Sequence, residues 1–344
     1  MSNLSLAMPQ SASRSLLSKC STVLLFGALF LAQPACNRTS GSGAAKDDLS
    51  LVPRETDIVL MVNLTQARES SLWKKAMDKL NSDAKSKQEY ADFVKKCSFD
   101  PLKEVDSVFL AFPQSVAEQK EYAVLIKGKF SPDAVVNCMK TTAKEKNETI
   151  TETDYNGVKL YGAEGRQPTY LASLGKRGVA VGGKEWIKRI VDLYGGKGGV
   201  QSAKENPALV DLIKRTHTSD ALWWAGVVPP SMVEKLGSSP MMAPVKTLKS
   251  VSGSIDPSKG VSLAAYLDLG TDADAAALKT LASDQVAKLK TAPAVQMMGM
   301  GSFLDTVKVD AKKNTFSLNV NMNQQQVDDL TTRLSGMAKQ FGGM

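Results

Sequence analysis

The residues of this 344-residue chain best suited to covalent chemistry are its four cysteines. Cys97 closes a helical pattern, and Cys138 lies in a helix that begins at Ser131 and Pro132. If these two helices pack side by side, the sulfur atoms meet, and a disulfide between them stabilises the fold by roughly 4 kcal/mol in the chain-entropy model. The sequence therefore favours a Cys97–Cys138 disulfide, with two buried free thiols as the alternative.

The single histidine, His217, is a weak candidate for catalysis. A triad needs a histidine beside an activated nucleophile, and the sequence contains no Gly-x-Ser-x-Gly motif. Its place at the end of a predicted helix favours a solvated side chain or a cation in the last turn. One histidine and two separated cysteines do not supply a usual zinc ligand set. We therefore predict no catalytic residue, no metal site and no cofactor.

Two further motifs approach a binding signature and fail on spacing or context. The stretch from 178 to 185 is close to a phosphate-binding loop, but Glu185 stands where the magnesium-binding Ser or Thr belongs. A strand, a glycine turn and a helix start are predicted there instead. The methionines between 297 and 300, with Met241 and Met242, offer soft ligands for copper(I). Methionine more often fills apolar gaps, and we prefer that role.

Trp223 and Trp224 are the weak candidates for ligand contact. Neighbouring residues of a strand point to opposite faces, so one ring is expected in the core while the other can stack on a sugar or a peptide. Burial of both rings explains the pair without a ligand, and this interpretation is preferred. A carboxylate pair suited to glycoside hydrolysis is not recognisable from the sequence.

The first 45 residues predict where the protein resides. A basic leader that contains Arg14 and Lys19 is followed by an apolar run over residues 21–32. A membrane-spanning helix needs about 20 apolar residues, so this shorter run favours a secretory signal peptide over residues 1–35 rather than a retained anchor. Cys36 follows, and a Ser/Gly-rich stretch after it is typical of a flexible linker.

This layout resembles that of bacterial lipoproteins, in which a small residue precedes a cysteine that is acylated and becomes the first residue of the mature protein. Ala35 and Cys36 match that junction, whereas Gln33 stands where the class usually has leucine. The resemblance implies lipidation at Cys36 and anchoring in the bacterial cell envelope, at the outer membrane or the periplasmic face. Ordinary signal-peptidase cleavage after residues 43–45, which discards Cys36, is the alternative.

Composition indicates a folded body with few constraints on its partners. The chain is 43% hydrophobic and 23% charged, which is typical of globular proteins. Its net charge of +8 is spread without a run of five like charges, whereas nucleic-acid binding needs a clustered basic patch. We predict no nucleic-acid partner. The membrane is the expected partner through the lipid anchor, with envelope proteins or anionic envelope polymers as further candidates.

Beyond the leader, the chain repeats one order of elements. Strand, helix, two strands, helix, two strands and helix occur twice, and the first half adds a hairpin at Asn156–Gly157. A glycine-rich break at residues 195–199 separates the halves. We predict a tether over 36–50 and two similar α+β modules over 51–198 and 199–344. Each is expected to be a mainly antiparallel sheet with helices layered on one face, either as two domains or as one continuous sheet.

The predicted function is that of an exported, lipid-anchored envelope protein that acts as a non-catalytic scaffold or binding module. The alternative is a solute- or polymer-binding protein with a cleft between the modules. A hydrolase that uses carboxylates is less favoured. A polar-lined groove between the modules would support both alternatives, and a seam filled with apolar side chains would count against both.

Overall fold

The computed structural model describes residues 47–113, 121–163, 168–197, 199–236, 240–297 and 299–341. The signal peptide, Cys36 and most of the tether lie outside the described residues. The strands are β1 Thr56–Asn63, β2 Val105–Pro113, β3 Ala123–Gly128, β4 Ile150–Tyr155, β5 Val158–Ala163, β6 Thr169–Ser173, β7 Val179–Gly182, β8 Leu222–Val227, β9 Ser250–Asp256, β10 Val261–Asp268, β11 Val307–Lys312 and β12 Thr315–Met322. The helices are α1 Leu64–Ala67, α2 Ser71–Ser82, α3 Ala84–Cys97, α4 Pro101–Glu104, α5 Pro132–Glu145, α6 Lys184–Tyr194, α7 Pro207–Lys214, α8 Pro230–Leu236, α9 Asp272–Thr291, α10 Pro293–Met297, α11 Gly301–Leu304 and α12 Gln324–Phe341.

These strands form one sheet that runs through both halves of the chain. Its order is β11-β12-β10-β9-β8-β1-β2-β3-β7-β6-β5-β4, and neighbouring strands are antiparallel. The halves join where β1 pairs with β8, with Leu60 opposite Trp224. The predicted α+β class with a mainly antiparallel sheet is confirmed, and the halves share a continuous sheet.

Each half follows the same path through this sheet. Three consecutive strands form a meander, β1-β2-β3 in the first half and β8-β9-β10 in the second. A helix, α5 or α9, then leads to strands that return to the third strand of the meander. Four strands return in the first half and two in the second, so the first half carries an extra hairpin.

Helices cover both faces of the sheet, which differs from the expected single layer. We call the face that carries Val59, Phe109 and Trp223 the first face, and the face that carries Leu60 and Trp224 the second face. On the first face, α6 and α7 pack into the core. On the second face lie α5 in the first half and α9, α11 and α12 in the second. The reason is sequence: β1, β2 and β3 carry apolar residues at successive positions, so both of their faces need cover.

The chain enters this core earlier than the predicted tether boundary. Leu49, Leu51 and Val52 are buried in the first-face cluster, so packing begins within the segment assigned to the tether. Asp48 is also buried, 1% exposed, and its carboxylate contacts the ammonium group of Lys127. The first described turn of the chain is therefore packed against the first face of the sheet.

Local signals in the sequence place several element boundaries. Ser131 caps α5 by accepting from the Asp133 backbone N–H at 3.3 Å. Asn156 and Gly157 take positive φ values of 54° and 81°, as the predicted hairpin turn requires. Phe303 is buried in α11, and β11 starts at Val307.

Candidate functional site at the junction of the two halves

The two adjacent tryptophans mark the junction, because β8 is the strand of the second half that pairs with the first. Trp223 points to the first face, is 1% exposed and lies with its ring centroid 6.2 Å from that of Phe109. Trp224 points to the second face and is half-buried. The predicted opposition of the two rings is therefore found, and Trp223 occupies the core.

On the first face, the junction is closed by apolar packing. Val59 and Met61 of β1 lie beside Trp223 and Ala225 of β8, and these four side chains are buried. Leu209, Leu212 and Ile213 of α7 belong to the same cluster. Among the described residues, this side of the seam offers no polar-lined groove, so it counts against a solute cleft on the first face.

On the second face, the same strands carry apolar side chains that stay half-buried. We call this set the central floor. It consists of Ile58 and Leu60 on β1, Leu110 and Phe112 on β2, Val124 on β3 and Trp224 on β8. An apolar surface that is only half-buried at the centre of a sheet is unusual, because burying such side chains is favourable by roughly 25 cal/mol per Å². The central floor is therefore the strongest candidate for a binding surface.

The central floor is elongated across the strands. Trp224 lies opposite Leu60, Leu60 opposite Leu110, and Leu110 opposite Val124. Val124 in turn lies opposite Val181 of β7, which is also half-buried. Four strand spacings of about 4.8 Å give this row a length of about 19 Å. Because β8, β1, β2 and β3 each have a hydrogen-bonded strand on both sides, the row offers side chains and no free ladder groups.

Two glycines, one on β8 and one on β9, leave space for side chains of the central floor. A Cβ atom on Gly253 would lie 2.5 Å from the Ala264 carbonyl oxygen and would press against the Trp224 ring. A Cβ atom on Gly226 would lie 3.1 Å from Cγ1 of Ile58. The Trp224 ring therefore lies across Gly253, and this orientation depends on the missing side chain.

A helical hairpin, α2 followed by α3, lies on the second face without closing it tightly. In α2 no residue is fully buried, and in α3 only Cys97 is. Its apolar side chains are half-buried, as the central floor is: Leu72, Trp73, Met77, Leu80, Tyr90, Phe93 and Val94. Asp83 links the two helices by capping α3, accepting from the Ser86 backbone N–H at 2.9 Å.

Two attachments at opposite sides hold this hairpin in place. On one side, Nζ of Lys75 lies 2.7 Å from Oδ1 of Asp328 and 2.8 Å from Oγ1 of Thr331, both on α12. Hydrogen bonds from Lys75 and from Gln324 hold the pKa of Asp328 below its usual value. On the other side, a disulfide joins α3 to α5. The α2 side is thus held by polar contacts and by the packing of Leu72 against the α12 cluster, and the α3 side by a covalent bond.

That disulfide is the predicted one. Cys97 and Cys138 are joined, with their Cα atoms 4.3 Å apart, and Lys96 adds an ion pair of 2.8 Å to Glu145 on α5. The free-thiol alternative is therefore not the state found. The ring centroids of Phe93 and Phe99 lie 6.2 Å apart, edge to face, so aromatic packing adds to the disulfide at this end of the hairpin.

The remaining sequence candidates lie apart from the central floor. His217 follows the end of α7, its side chain 49% exposed and its Nδ1 3.8 Å from Oδ2 of Asp220. The stretch from 178 to 185 is strand β7, a glycine turn and the start of α6, as predicted. Met297 is 84% exposed, whereas Met300 packs against the α12 core cluster. The side chains of Met241 and Met242 lie outside the described set.

The carboxyl groups with shifted pKa values have structural partners. Burial alone would raise the pKa of Asp268, but hydrogen bonds from Arg215, Ser250 and Thr315 outweigh it and lower the pKa. A hydrogen bond from Lys279 likewise lowers the pKa of Asp310. These partners explain the shifts without a substrate. Within the described ranges, no three His, Cys, Asp or Glu side chains are grouped as metal ligands.

Of the helices in the described part of the chain, none combines the length and apolar character needed to span a bilayer. The central floor was missed by sequence reasoning, although a signal was present. Residues 58–62 are apolar at every position, which indicates a strand with two apolar faces rather than one.

Comparison with known proteins gives a fold likeness and no relative. No family model matches the chain, and no curated protein matches it. Crystal forms III and I of TP0453 are similar in structure, with TM-scores of 0.44 and 0.43 and 11% sequence identity in both cases. Each match covers 83% of this chain and 97% of the TP0453 chain. At these values the likeness carries no argument about function.

Proposed function

We propose that this chain is an exported, lipid-anchored envelope protein that acts as a non-catalytic binding module, with the central floor as its binding surface. One observation carries the proposal: the strands at the junction bury their side chains completely on the first face and only partly on the second. Apolar side chains left half-exposed at the centre of a sheet indicate a place for a second molecule.

Export is supported by the signal-peptide layout and by the disulfide, and anchoring by the lipoprotein-like junction at Ala35 and Cys36. Disulfides persist in oxidising compartments, so a Cys97–Cys138 bridge agrees with a protein that leaves the cytoplasm. The intact mass of the protein extracted from its native membrane tests the anchor. We expect a chain that starts at Cys36 with added acyl mass, and a chain that starts near Lys46 without lipid would contradict it.

A non-catalytic role is supported by the ionisable groups. The lowered pKa values of Asp268, Asp310 and Asp328 arise from hydrogen bonds to Arg215, Lys279 and Lys75. Catalytic acids and bases instead take perturbed values from burial or like charge inside a cleft. These three carboxylates pair with cations of other elements, and the sequence singles out no other carboxylate pair for hydrolysis.

Titration with an apolar fluorescent dye, such as anilinonaphthalene sulfonate, tests binding at the central floor. We expect saturable binding at one site, because a defined apolar surface takes up a limited amount of dye. Leu110→Glu places a negative charge on the central floor, which repels the sulfonate and removes apolar surface, and it is expected to weaken dye binding at least tenfold. Asn319→Glu is the matched control, since it adds the same charge at a half-buried position of β12 on the first face.

Dye binding that is unsaturable, or equally strong in both variants, would contradict the proposed surface. Circular dichroism and urea unfolding of each variant show whether the fold is retained. If a variant is folded, a loss of dye binding cannot be attributed to misfolding. The test therefore remains decisive.

A further inference from the structure

We infer that a polar cavity in the second half of the chain binds a neutral sugar. The cavity lies where the turn between β9 and β10 meets the end of β12 and the start of α12. It is separate from the central floor, because its strands are β9, β10 and β12 whereas the floor lies on β8, β1, β2 and β3. Its volume is about 510 Å³, within the range of about 300–1,000 Å³ for sites that hold small ligands.

Three polar side chains lie side by side across the sheet and line this cavity. Ser262 of β10 is opposite Asp256 of β9 and opposite Asn321 of β12, so a carboxylate, a hydroxyl and an amide are neighbours on the first face. Two strand spacings of about 4.8 Å give the three groups a span of about 10 Å. Within the described ranges, the side chains of Ser262 and Asn321 bond to no protein group, so both remain for a ligand.

Two amides at the start of α12 add hydrogen-bond donors to the cavity. Oδ1 of Asn323 accepts from the Gln326 backbone N–H at 2.9 Å, and Oε1 of Gln326 accepts from the Asn323 backbone N–H at 3.0 Å. This reciprocal cap fixes both amide oxygens. The two amide nitrogens therefore face away from those N–H groups, and in the described part of the chain neither donates to a protein group.

The charges in the cavity balance. Lys259 is exposed and has no ion-pair partner among the described residues. Asp256 is half-buried and accepts from the Ser258 backbone N–H at 2.9 Å. One ammonium group and one carboxylate leave the lining without net charge, so an anion would meet Asp256 as well as Lys259. A metal ion would find a single carboxylate. The lining therefore favours a neutral ligand.

The wall of the cavity is held by the core beneath it. Gly260 has a φ of 111°, and a Cβ atom there would overlap the Met322 carbonyl oxygen. The backbone of the β9–β10 turn therefore lies directly on the end of β12. Val261 and Met322 are buried in one core cluster. A wall that is already ordered lowers the entropy that binding costs.

A sugar is the class of ligand that meets these conditions. Its hydroxyl groups donate and accept, and its ring oxygens accept, so it can pair with amide, hydroxyl, ammonium and carboxylate groups together. A peptide strand needs free N–H and C=O groups at a sheet edge, and β9, β10 and β12 each pair on both sides. An apolar ligand would leave the polar groups of the lining unpaired, which costs free energy.

Titration with maltotriose and with chitotriose, followed by NMR, tests the inference. The Cys36→Ser variant is used so that no lipid anchor interferes. We expect at least one of these sugars to bind saturably with a Kd of about 1 mM or lower. The side-chain NH2 signals of Asn321, Asn323 and Gln326 are expected to shift. Tetraethylene glycol, which has ether oxygens but few hydroxyl groups, is the control ligand and is expected not to bind.

Asn321→Ala and Asn319→Ala are a matched pair of variants. Both asparagines are half-buried on the first face of β12, and of the two Asn321 lines the cavity. Asn321→Ala is expected to weaken sugar binding about tenfold, whereas Asn319→Ala is expected to leave it unchanged. Because the Asn321 side chain bonds to no protein group within the described ranges, its removal is not expected to unfold the protein.

The possible results separate the sugar, the cavity and the central floor. A folded protein that binds neither sugar overturns the inference. Shifts confined to other parts of the chain, or equal weakening by both variants, overturn this cavity as the site. Binding of inorganic phosphate in place of the sugars, lost in Lys259→Gln, overturns a neutral ligand. Dye binding reports on the central floor, so each of these results leaves the proposed function to its own test.

Discussion

The two faces of the central strands differ in how they are packed, although the same strands supply both. On the first face, Val59, Phe109 and Trp223 are at most 1% exposed beneath α6 and α7. On the second face, Leu60, Leu110 and Trp224 are half-buried beneath a hairpin that contributes one buried residue. The comparison indicates that the central strands are packed tightly on the first face and loosely on the second.

The largest expected effect comes from changing each tryptophan separately. Trp223→Ala removes a fully buried ring and is expected to lower the free energy of unfolding by about 3–5 kcal/mol. Trp224→Ala removes a half-buried ring and is expected to cost less than half as much. Urea unfolding of both variants measures the difference, and equal losses would mean that the two faces are packed alike.

Removal of the disulfide is expected to have the next largest effect. Cys97 and Cys138 are 41 residues apart, so a double change to Ser is expected to lower the free energy of unfolding by about 4 kcal/mol. Hydrogen exchange is expected to rise in α2 and α3, which the bond holds, and to change little in β1 and β8. The reduced wild-type protein is the control, and faster exchange on the first face would contradict the comparison.

A smaller effect is expected from filling the space beneath the Trp224 ring. Gly253→Ala places a methyl group against that ring and the Ala264 carbonyl oxygen, and overpacking of this kind costs about 1–3 kcal/mol. Gly336→Ala on α12 is the control, since no atom lies within 4 Å of its Cβ position. Thermal unfolding distinguishes them, and equal melting temperatures would show that Trp224 is not held across Gly253.

The smallest effect is a pH dependence with opposite sign on the two faces. Burial raises the pKa of Asp48 on the first face above 3.8, so its native state holds the proton more tightly than the unfolded chain does. Stability from this group is therefore present below pH 3.8 and falls as the pH rises through the raised pKa. Asp48→Asn is expected to abolish that fall in the unfolding free energy.

Asp328, beside the hairpin, supplies the contrasting case. Hydrogen bonds from Lys75 and Gln324 lower its pKa below 3.8, so its contribution is present above that value and is lost as the pH falls through the lowered pKa. The measurement is the unfolding free energy of Asp328→Asn and of wild type between about pH 2 and pH 7, the range that covers the titration of ordinary carboxyl groups. The same sign for both residues would contradict the assignment.

The sequence predicted the elements better than their assembly. All of the strands of the sheet were anticipated, because alternation, the Asn156–Gly157 turn and the Ser131 cap are local signals. The sequence does not predict the pairing of β1 with β8, because Leu60 and Trp224 are 164 residues apart and no local pattern specifies their contact. The element order alone predicts a single helical layer, whereas the apolar run at residues 58–62 indicates a strand that needs cover on both faces.

The candidate site was partly foreseen for a related reason. Strand alternation placed Trp223 and Trp224 on opposite faces, which the structure shows. The partial exposure of Trp224 depends on how closely the α2–α3 hairpin packs. An amphipathic pattern predicts which face of a helix is apolar, but not whether that face is buried fully or only in part. The site therefore became visible only from the burial of neighbouring side chains.

The most direct test of the binding surface is photocrosslinking with a small apolar aromatic diazirine. Irradiated with the Cys36→Ser variant and mapped by peptide mass spectrometry, it is predicted to label β1, β2 and β8 together with α2 or α3. Labelling confined to the polar first face of β10–β12, or spread evenly over the surface, would contradict the account.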